Sequence, residues 1–189
     1  DWGHWGTNIV DGLIRVYCRS FHRQSFDEIL LPEDHKTLLA ANHISGIDPF
    51  ILITALRHPV RFMIAKEEYE KPILHWLFRA AGCIPVDRGG RVEGAFRRTL
   101  KAIKAGEVVA IFPQGGIHHV DLPREKIKPG LIKLSELSGC NILPIRISGV
   151  GAPGTILQSV ISRSNIKLET HSTITSQQAQ EPHFKEAMA

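Results

Sequence analysis

The stretch TLLAANHISGIDPF, Thr37 to Phe50, decides how the chain folds. Thr37 to Ala41 is a short, nearly unbroken apolar run that turn residues end. Such a run fits a strand buried on both faces, as in a parallel sheet. Ser45-Gly46 supplies a break. Asp48-Pro49 then has the form of a helix start, with Asp as N-cap and Pro at the first helical position. Phe50 to Leu56 continues as an apolar helix. A histidine, His43, sits at the strand end, and Asp48 follows it by five positions.

Working outward, the same alternation recurs. A helix is expected over Trp5 to His22, ahead of the first strand. Beyond it come a strand near Val60 to Ala65, a helix near Ile73 to Ala81, and a strand at Ile84 to Val86. A helix near Val92 to Ala105 leads to a strand at Val108 to Phe112. A helix near Gly130 to Leu137 leads to a strand at Ile142 to Ile147, and a last strand falls near Ile166 to Ile174. Alternating elements predict an α/β domain, with a largely parallel sheet flanked by helices and an N-terminal amphipathic helix. Residues 1–189 are expected to form one domain, with 1–24 as the amphipathic helix and 35–150 as the core that bears the motifs.

Composition narrows the class. With 189 residues, 43% hydrophobic and 22% charged, the chain can bury a real core and is neither disordered nor fibrous. Cys18, Cys83 and Cys140 are few, odd in number and far apart, so they make neither a disulfide framework nor a metal clip. A reducing compartment follows, and with it a cytoplasmic setting. The 23 Lys and Arg against 19 Asp and Glu give a net charge of +4, which points to anionic partners. No window reaches the ~18 apolar residues of a membrane span. The chain opens at Asp1 rather than Met, so nothing is inferred about a leader or anchor ahead of it.

Polar residues gather where the strands should end. His43 and Asp48 follow the first strand, Lys66 the second, Asp87 and Arg88 the third, and Pro113-Gln114-Gly115-Gly116 the fourth. Open α/β sheets bind ligands at the carboxyl ends of their strands, so four clusters converge on one site. Asp48 can orient His43 as the base half of a triad. No G-x-S-x-G elbow supplies a nucleophile, and Cys83 and Cys140 lie in apolar surroundings. A base without a protein nucleophile suggests activation of a hydroxyl that the substrate brings, for acyl or phosphoryl transfer.

These residues carry a resemblance. Asn42 to Asp48 resembles the N-H-x4-D block of the glycerolipid acyltransferases, the 1-acylglycerol-3-phosphate acyltransferase family. Gly82 to Arg88 resembles its G-x-I-x-V-x-R block, Phe112-Pro113-Gln114-Gly115 its F-P-E-G-T-R block, and Ile142 to Ile145 its apolar strand with a proline. The resemblance implies transfer of a fatty acyl group from acyl-CoA or acyl-carrier protein to a lysophospholipid hydroxyl. His43 and Asp48 would be catalytic. Arg88 and Lys66 would bind the acceptor phosphate, and Gln114, Gly115 and Gly116 would shape its pocket. No metal or redox cofactor is required; the thioester is a co-substrate.

The third block departs from the family pattern. Gln114 stands where glutamate is usual, and Gly116-Ile117 where Thr-Arg is usual. His118, His119 and Arg124 are substitutes for the missing arginine, or the acceptor is not a phosphate monoester. Two alternatives therefore stay open: the same chemistry on a non-phosphate or specialised acceptor, and a non-catalytic lipid-binding module. His118-His119-x-Asp121 is read as a loop rather than a metal cluster, and Gly149 to Gly154, which fits G-x-G-x-x-G, as a loop rather than a nucleotide cradle. Arg91, Arg97, Arg98, Lys101 and Lys104 are read first as a solvated helix face, with CoA phosphates or a membrane as the sharper alternative. Trp2, Trp5, Ile9, Leu13, Val16 and Phe21, interleaved with Arg15, Arg19 and Arg23, suit either core packing or a bilayer surface. The expected partners are thus a thioester donor, a lysolipid and an anionic membrane surface, without nucleic acid.

Overall fold

The structure is a computed structural model that describes residues 2–24, 26, 28–32, 37–90, 92–118 and 127–180, with Ile73 described by its backbone alone. Its elements run α1 (Trp5–Ser20), β1 (Thr37–Ala41), α2 (Asp48–Ala55), β2 (Val60–Ala65), α3 (Lys66–Tyr69) and α4 (Pro72–Ala80). Then follow β3 (Ile84–Val86), α5 (Glu93–Lys104), β4 (Val108–Ile111), α6 (Gly130–Ser138), β5 (Asn141–Ser148), α7 (Leu157–Ile161) and β6 (Lys167–Thr170). The first five expected strands fall within a residue or two of these bounds; the last, expected near Ile166 to Ile174, stops at Thr170, and Ile174 makes only an isolated bridge to Ile142. The short helices α3 and α7 were not foreseen, because four or five residues are too few to show a helical period.

The six strands form one sheet in the order β3-β2-β4-β1-β5-β6. All pairings are parallel except that of β5 with β6. β1 is central, and every one of its residues is buried. Because strand side chains alternate, Leu39 and Ala41 face one way and Leu38 and Ala40 the other. Leu39 and Ala41 pack with Phe62, Ala110, Ile145 and the α2 residues Ile51, Leu52 and Ala55. Leu38 and Ala40 pack with Val109 and Ile142, under Ile103 of α5 and Leu131 and Leu134 of α6. The connections β1–α2–β2 and β4–α6–β5 leave in opposite directions, so right-handed crossovers put their helices on opposite faces.

α1 lies on α2 with Thr7 and Cys18 buried. Arg15, one of the cations interleaved with the apolar stripe, is turned inward. It pairs with Asp11 at 2.8 Å and donates to the carbonyls of Leu56 (2.9 Å) and Thr54 (3.4 Å) at the end of α2. The opposite face of α1 exposes Trp5 (73%), Ile9 (53%), Leu13 (65%) and Val16 (64%), which a 100° rotation per residue places on one stripe. Among the described residues no helix is long and apolar enough to cross a membrane.

A buried polar chain ties α1 to the segment around α7. His22 is fully buried; its Nδ1 lies 2.8 Å from Ser164 Oγ and its Nε2 lies 2.7 Å from the Tyr17 hydroxyl. The Tyr17 hydroxyl donates to the Val160 carbonyl, and Gly151 N donates to Ser164 Oγ at 2.8 Å. With His22 neutral, each member has a partner of the right kind. Burial lowers the His22 pKa below its ordinary 6.5. The unfolded chain therefore takes up this proton at a higher pH than the folded one, so stability must fall as pH drops below about 6.5. A His22→Gln variant should be less stable at neutral pH, with a flatter decline in Tm between about pH 6.5 and 5. Equal slopes in both proteins would show that His22 does not set the acid limb.

Candidate active site

The loop after β1 is built around one carboxylate. Asp48 is fully buried. Its Oδ2 accepts from His43 Nδ1 (2.8 Å), Ile44 N (2.7 Å) and Ser45 N (2.8 Å), and its Oδ1 accepts from Ser45 Oγ (2.6 Å). The Asp-Pro signal thus marks the helix start, but not in the way expected. α2 has no side-chain cap bond, and Asp48 sits inside its first turn with the carboxylate directed back over the loop. Four donors in a dry site outweigh one helix amide, since a buried carboxylate needs every lone pair matched. An ionised carboxylate only accepts, so His43 donates from Nδ1 and keeps the lone pair on Nε2.

His43 itself is held on three sides. Asn42, next to it, completes the sheet with its side chain: Nδ2 donates to the Ile147 carbonyl (2.9 Å), and Oδ1 accepts from Ile147 N (2.6 Å). That amide continues the β1–β5 ladder one step beyond Ala41. The His43 ring stacks on Phe112, with centroids 4.1 Å apart and planes 17° apart. The His43 carbonyl accepts from His118 N at 2.7 Å. The His43 side chain is 18% exposed, so a substrate can reach it.

The turn after β4 lies beside this loop, because β4 pairs directly with β1. Gln114 is buried, and Gly115 adopts φ +85°, a left-handed conformation that favours glycine. Lys66, after β2, opens α3 and faces a cavity of about 310 Å³ shared with Tyr69, Glu70, His75, Asp87 and Arg98. Arg98, read as part of a solvated face, also donates to the Pro85 carbonyl at 3.2 Å. Arg88 is exposed beyond β3 and does not line that cavity. The structure therefore brings His43, Asp48, Gln114, Gly115 and Gly116 together, with Lys66 and then Arg88 progressively further along the sheet.

A second segment clasps the His43 loop. Gly46 N donates to the Thr155 carbonyl (3.0 Å), and Gly154 N donates to the Ile44 carbonyl (2.7 Å). A Cβ on Gly46 would stand 2.8 Å from the Ile156 carbonyl oxygen and 2.9 Å from its Cα. Gly46 is glycine for close approach rather than for its φ. Gly151 packs in the same way against the backbone of residues 162–163, and Gly149 combines such an approach to residues 165–166 with a φ of +73°. The G-x-G-x-x-G stretch is accordingly a packing loop that reaches the site from behind, which its phosphate-cradle spacing conceals.

The cysteines lie away from this chemistry. All three are free and buried, and burial pushes Cys18 up to about 12, Cys83 up to about 11, and Cys140 upward. None is a thiolate at neutral pH. His119, Asp121, Arg124 and Arg91 lie outside the described residues. Among the described residues no three metal-ligating side chains cluster.

Comparison with known proteins gives the family. A family model described as Acyltransferase matches residues 24–148, two thirds of the chain. The chain belongs to the acyltransferase family. It is similar to the 1-acyl-sn-glycerol-3-phosphate acyltransferase of Bacillus subtilis, 25% identical over 63% of this chain and 59% of that one. The probable 1-acyl-sn-glycerol-3-phosphate acyltransferase of Mycoplasma genitalium is 27% identical over 82% of this chain and 57% of its own. N-acylphosphatidylethanolamine synthase of Arabidopsis thaliana is 28% identical over 57% and 42% respectively. This acyltransferase-family chain thus spans under six-tenths of the length of these curated relatives. The fold is also that of the 1-acyl-sn-glycerophosphate acyltransferase of Thermotoga maritima: TM-score 0.65, with 96% of this chain and 75% of that one covered, at 17% identity.

The sequence marks His43, Asp48 and the β4 turn as candidates. The contacts made by Asn42, Ser45, Gly46 and Phe112 are not legible in it. Only the Ser-Gly break hinted at the tight loop, and no local pattern links Asn42 to Ile147 or Gly46 to Ile156.

Proposed function

We propose that the protein transfers a fatty acyl group from a thioester, acyl-CoA or acyl-carrier protein, to the free hydroxyl of a lysophospholipid such as 1-acylglycerol 3-phosphate. The observation that carries this reading is the His43–Asp48 pair at the carboxyl end of the central strand. His43 Nε2 removes the acceptor's hydroxyl proton as the oxygen attacks the thioester carbonyl. The C–O bond forms, the C–S bond breaks, and the imidazolium returns the proton to the departing thiolate. Asp48 steadies that imidazolium, so the transition state gains more than the ground state. The Pro113–Gly116 turn, one strand away, shapes the acceptor pocket. Lys66 and Arg88 hold anionic portions of the substrates further along the sheet. Family membership and relatives named for this activity support the assignment.

The test is mass spectrometry of products formed from an acyl thioester and a panel of lysophosphatidate, neutral monoacylglycerol and amine-bearing lysolipids. A diacyl phosphatidate product supports the reading, and acylation confined to another acceptor overturns the acceptor class. That second outcome has its own motive, since Gln114 and Ile117 depart from the family pattern and one relative is named for a different product. Transfer to none of the panel would leave the lipid-binding module.

We further infer that the protein works at a membrane surface, peripherally and in the cytoplasm. The exposed stripe Trp5, Ile9, Leu13 and Val16, with Arg19 flanking it, is the motive. Leu13→Glu should weaken sedimentation with anionic lipid vesicles at least severalfold while leaving Tm within a few degrees, because the side chain is already solvent-facing. Unchanged sedimentation would remove α1 from the docking surface.

A further inference from the structure

The turn that follows β4 carries no charge of its own: it reads Pro113, Gln114, Gly115, Gly116, Ile117. A cation from elsewhere in the chain lies on it. A Cβ on Gly115 would stand 2.8 Å from Lys128 Cε and 3.2 Å from Lys128 Cδ, with Nζ nearer still. Lys128 is anchored there by its own backbone, whose N donates to the Pro113 carbonyl at 2.9 Å. Its side chain is exposed, and the ion pairs among the described residues leave it out. The positive φ of Gly115 and the missing Cβ together make the seat.

We propose that Lys128 is the ammonium group that receives the acceptor's phosphate monoester, a specificity role that rests on the acyl-transfer reading above. Distance decides in its favour. Neighbouring strands lie ~4.8 Å apart, so β4, β2 and β3 stand about 5, 10 and 14 Å from β1. β1 carries His43, Lys128 lies at the end of β4, Lys66 follows β2, and Arg88 follows β3. In an acceptor such as 1-acylglycerol 3-phosphate, the reacting hydroxyl and the phosphate ester sit on adjacent carbons. A phosphate so close to the hydroxyl must be met one strand from the base, where Lys128 is the cation that lies on the β4 turn among the described residues. A compact ammonium suits that place, because it binds phosphate as a point charge with three donors. Lys128 thereby lets a turn without a charged side chain select a phosphate-bearing lysolipid.

The experiment titrates the full chain with glycerol 3-phosphate, and separately with glycerol, for wild type, Lys128→Met and Lys128→Arg. Methionine keeps an unbranched chain over Gly115, and the position is exposed, so the fold tolerates it. Saturable binding of glycerol 3-phosphate but not glycerol is expected, with affinity at least tenfold lower in Lys128→Met and within about threefold in Lys128→Arg. In turnover, Lys128→Met should raise the KM for lysophosphatidate at least tenfold and leave the donor KM unchanged. Absent binding in wild type, equal affinity in wild type and Lys128→Met, or a shift confined to the donor KM would each overturn the proposal. A wild type that binds glycerol 3-phosphate through Lys128 yet transfers no acyl group would sink the function reading alone. A wild type that acylates lysophosphatidate with Lys128→Met kinetics unchanged would sink only the role of Lys128.

Discussion

Asp48→Asn should fold and fail to turn over. Asparagine can place its carbonyl where Oδ2 now accepts from His43, Ile44 and Ser45, and its amide then faces Ser45 Oγ, which can rotate to accept. The loop keeps its bonds, but the imidazolium loses its counter-charge. A rate loss on the order of 10²–10⁴ is expected, the scale of a positioned acid–base group and of a triad carboxylate made neutral. His43→Ala should lose at least as much with Tm close to wild type, because His43 is partly exposed. Asp48→Ala is a different experiment. It orphans the buried Ser45 N and Oγ and the Ile44 N, each at about 1–3 kcal/mol, and should unfold early. Steady-state rates and thermal melts on the three variants separate these effects. Near-normal activity in Asp48→Asn would reduce Asp48 to a loop organiser, and near-normal activity in His43→Ala would remove the base.

Gly46→Ala should be nearly as damaging, by another route. The added carbon meets the Ile156 carbonyl at 2.8 Å and its Cα at 2.9 Å, and backbone cannot swing aside as a side chain can. Either the His43 loop or residues 154–156 must move, which endangers the Gly46–Thr155 and Gly154–Ile44 bonds. Overpacking of this kind costs about 1–3 kcal/mol. Activity should fall further than stability, because a displacement of ~1 Å in a catalytic group costs ~10²-fold in rate. Gly12→Ala makes the same chemical change in α1, where the new carbon meets no atom within 4 Å, and should stabilise slightly. A Gly46→Ala protein with wild-type melting and rate would show that the clasp yields freely and does not position His43.

These contacts also mark how far the sequence could be read. The run Thr37–Ala41 announces a strand buried on both faces because nothing polar interrupts it. The ends of β1 to β4 announce a site because catalytic residue types recur at each of them. His43 and Asp48 are five positions apart, near enough for a local turn to join them. What stayed hidden is what chain separation hides. Asn42 bonds Ile147 and Gly46 abuts Ile156, and both pairings depend on β1 lying beside β5, while Lys128 covers Gly115 from the far end of the β4–α6 connection. Periodicity predicts that strands exist but not which ones are neighbours. The helix-start signal at Asp48 gives the place of the start but not the bond, because Asp-Pro looks the same whether the carboxylate faces the helix or the loop. Arg15 shows the same limit: its spacing suits either core packing or a bilayer surface, and two backbone carbonyls at the end of α2 draw it inward.

In the proposed mechanism transfer is direct: a hydroxyl of the acceptor, deprotonated by His43, attacks the thioester with no acyl-enzyme between. Ser45 is the hydroxyl nearest in sequence to His43, and its Oγ is buried and donates to Asp48. The most direct measurement mixes the protein with an acyl thioester, follows thiol release, records the intact protein mass, and then adds lysophosphatidate. Direct transfer predicts an unmodified mass and no burst of thiol before the acceptor, followed by sustained thiol release and diacyl product after it. A stoichiometric burst with the protein heavier by one acyl group before the acceptor is added, or thiol release indifferent to the acceptor, would contradict it.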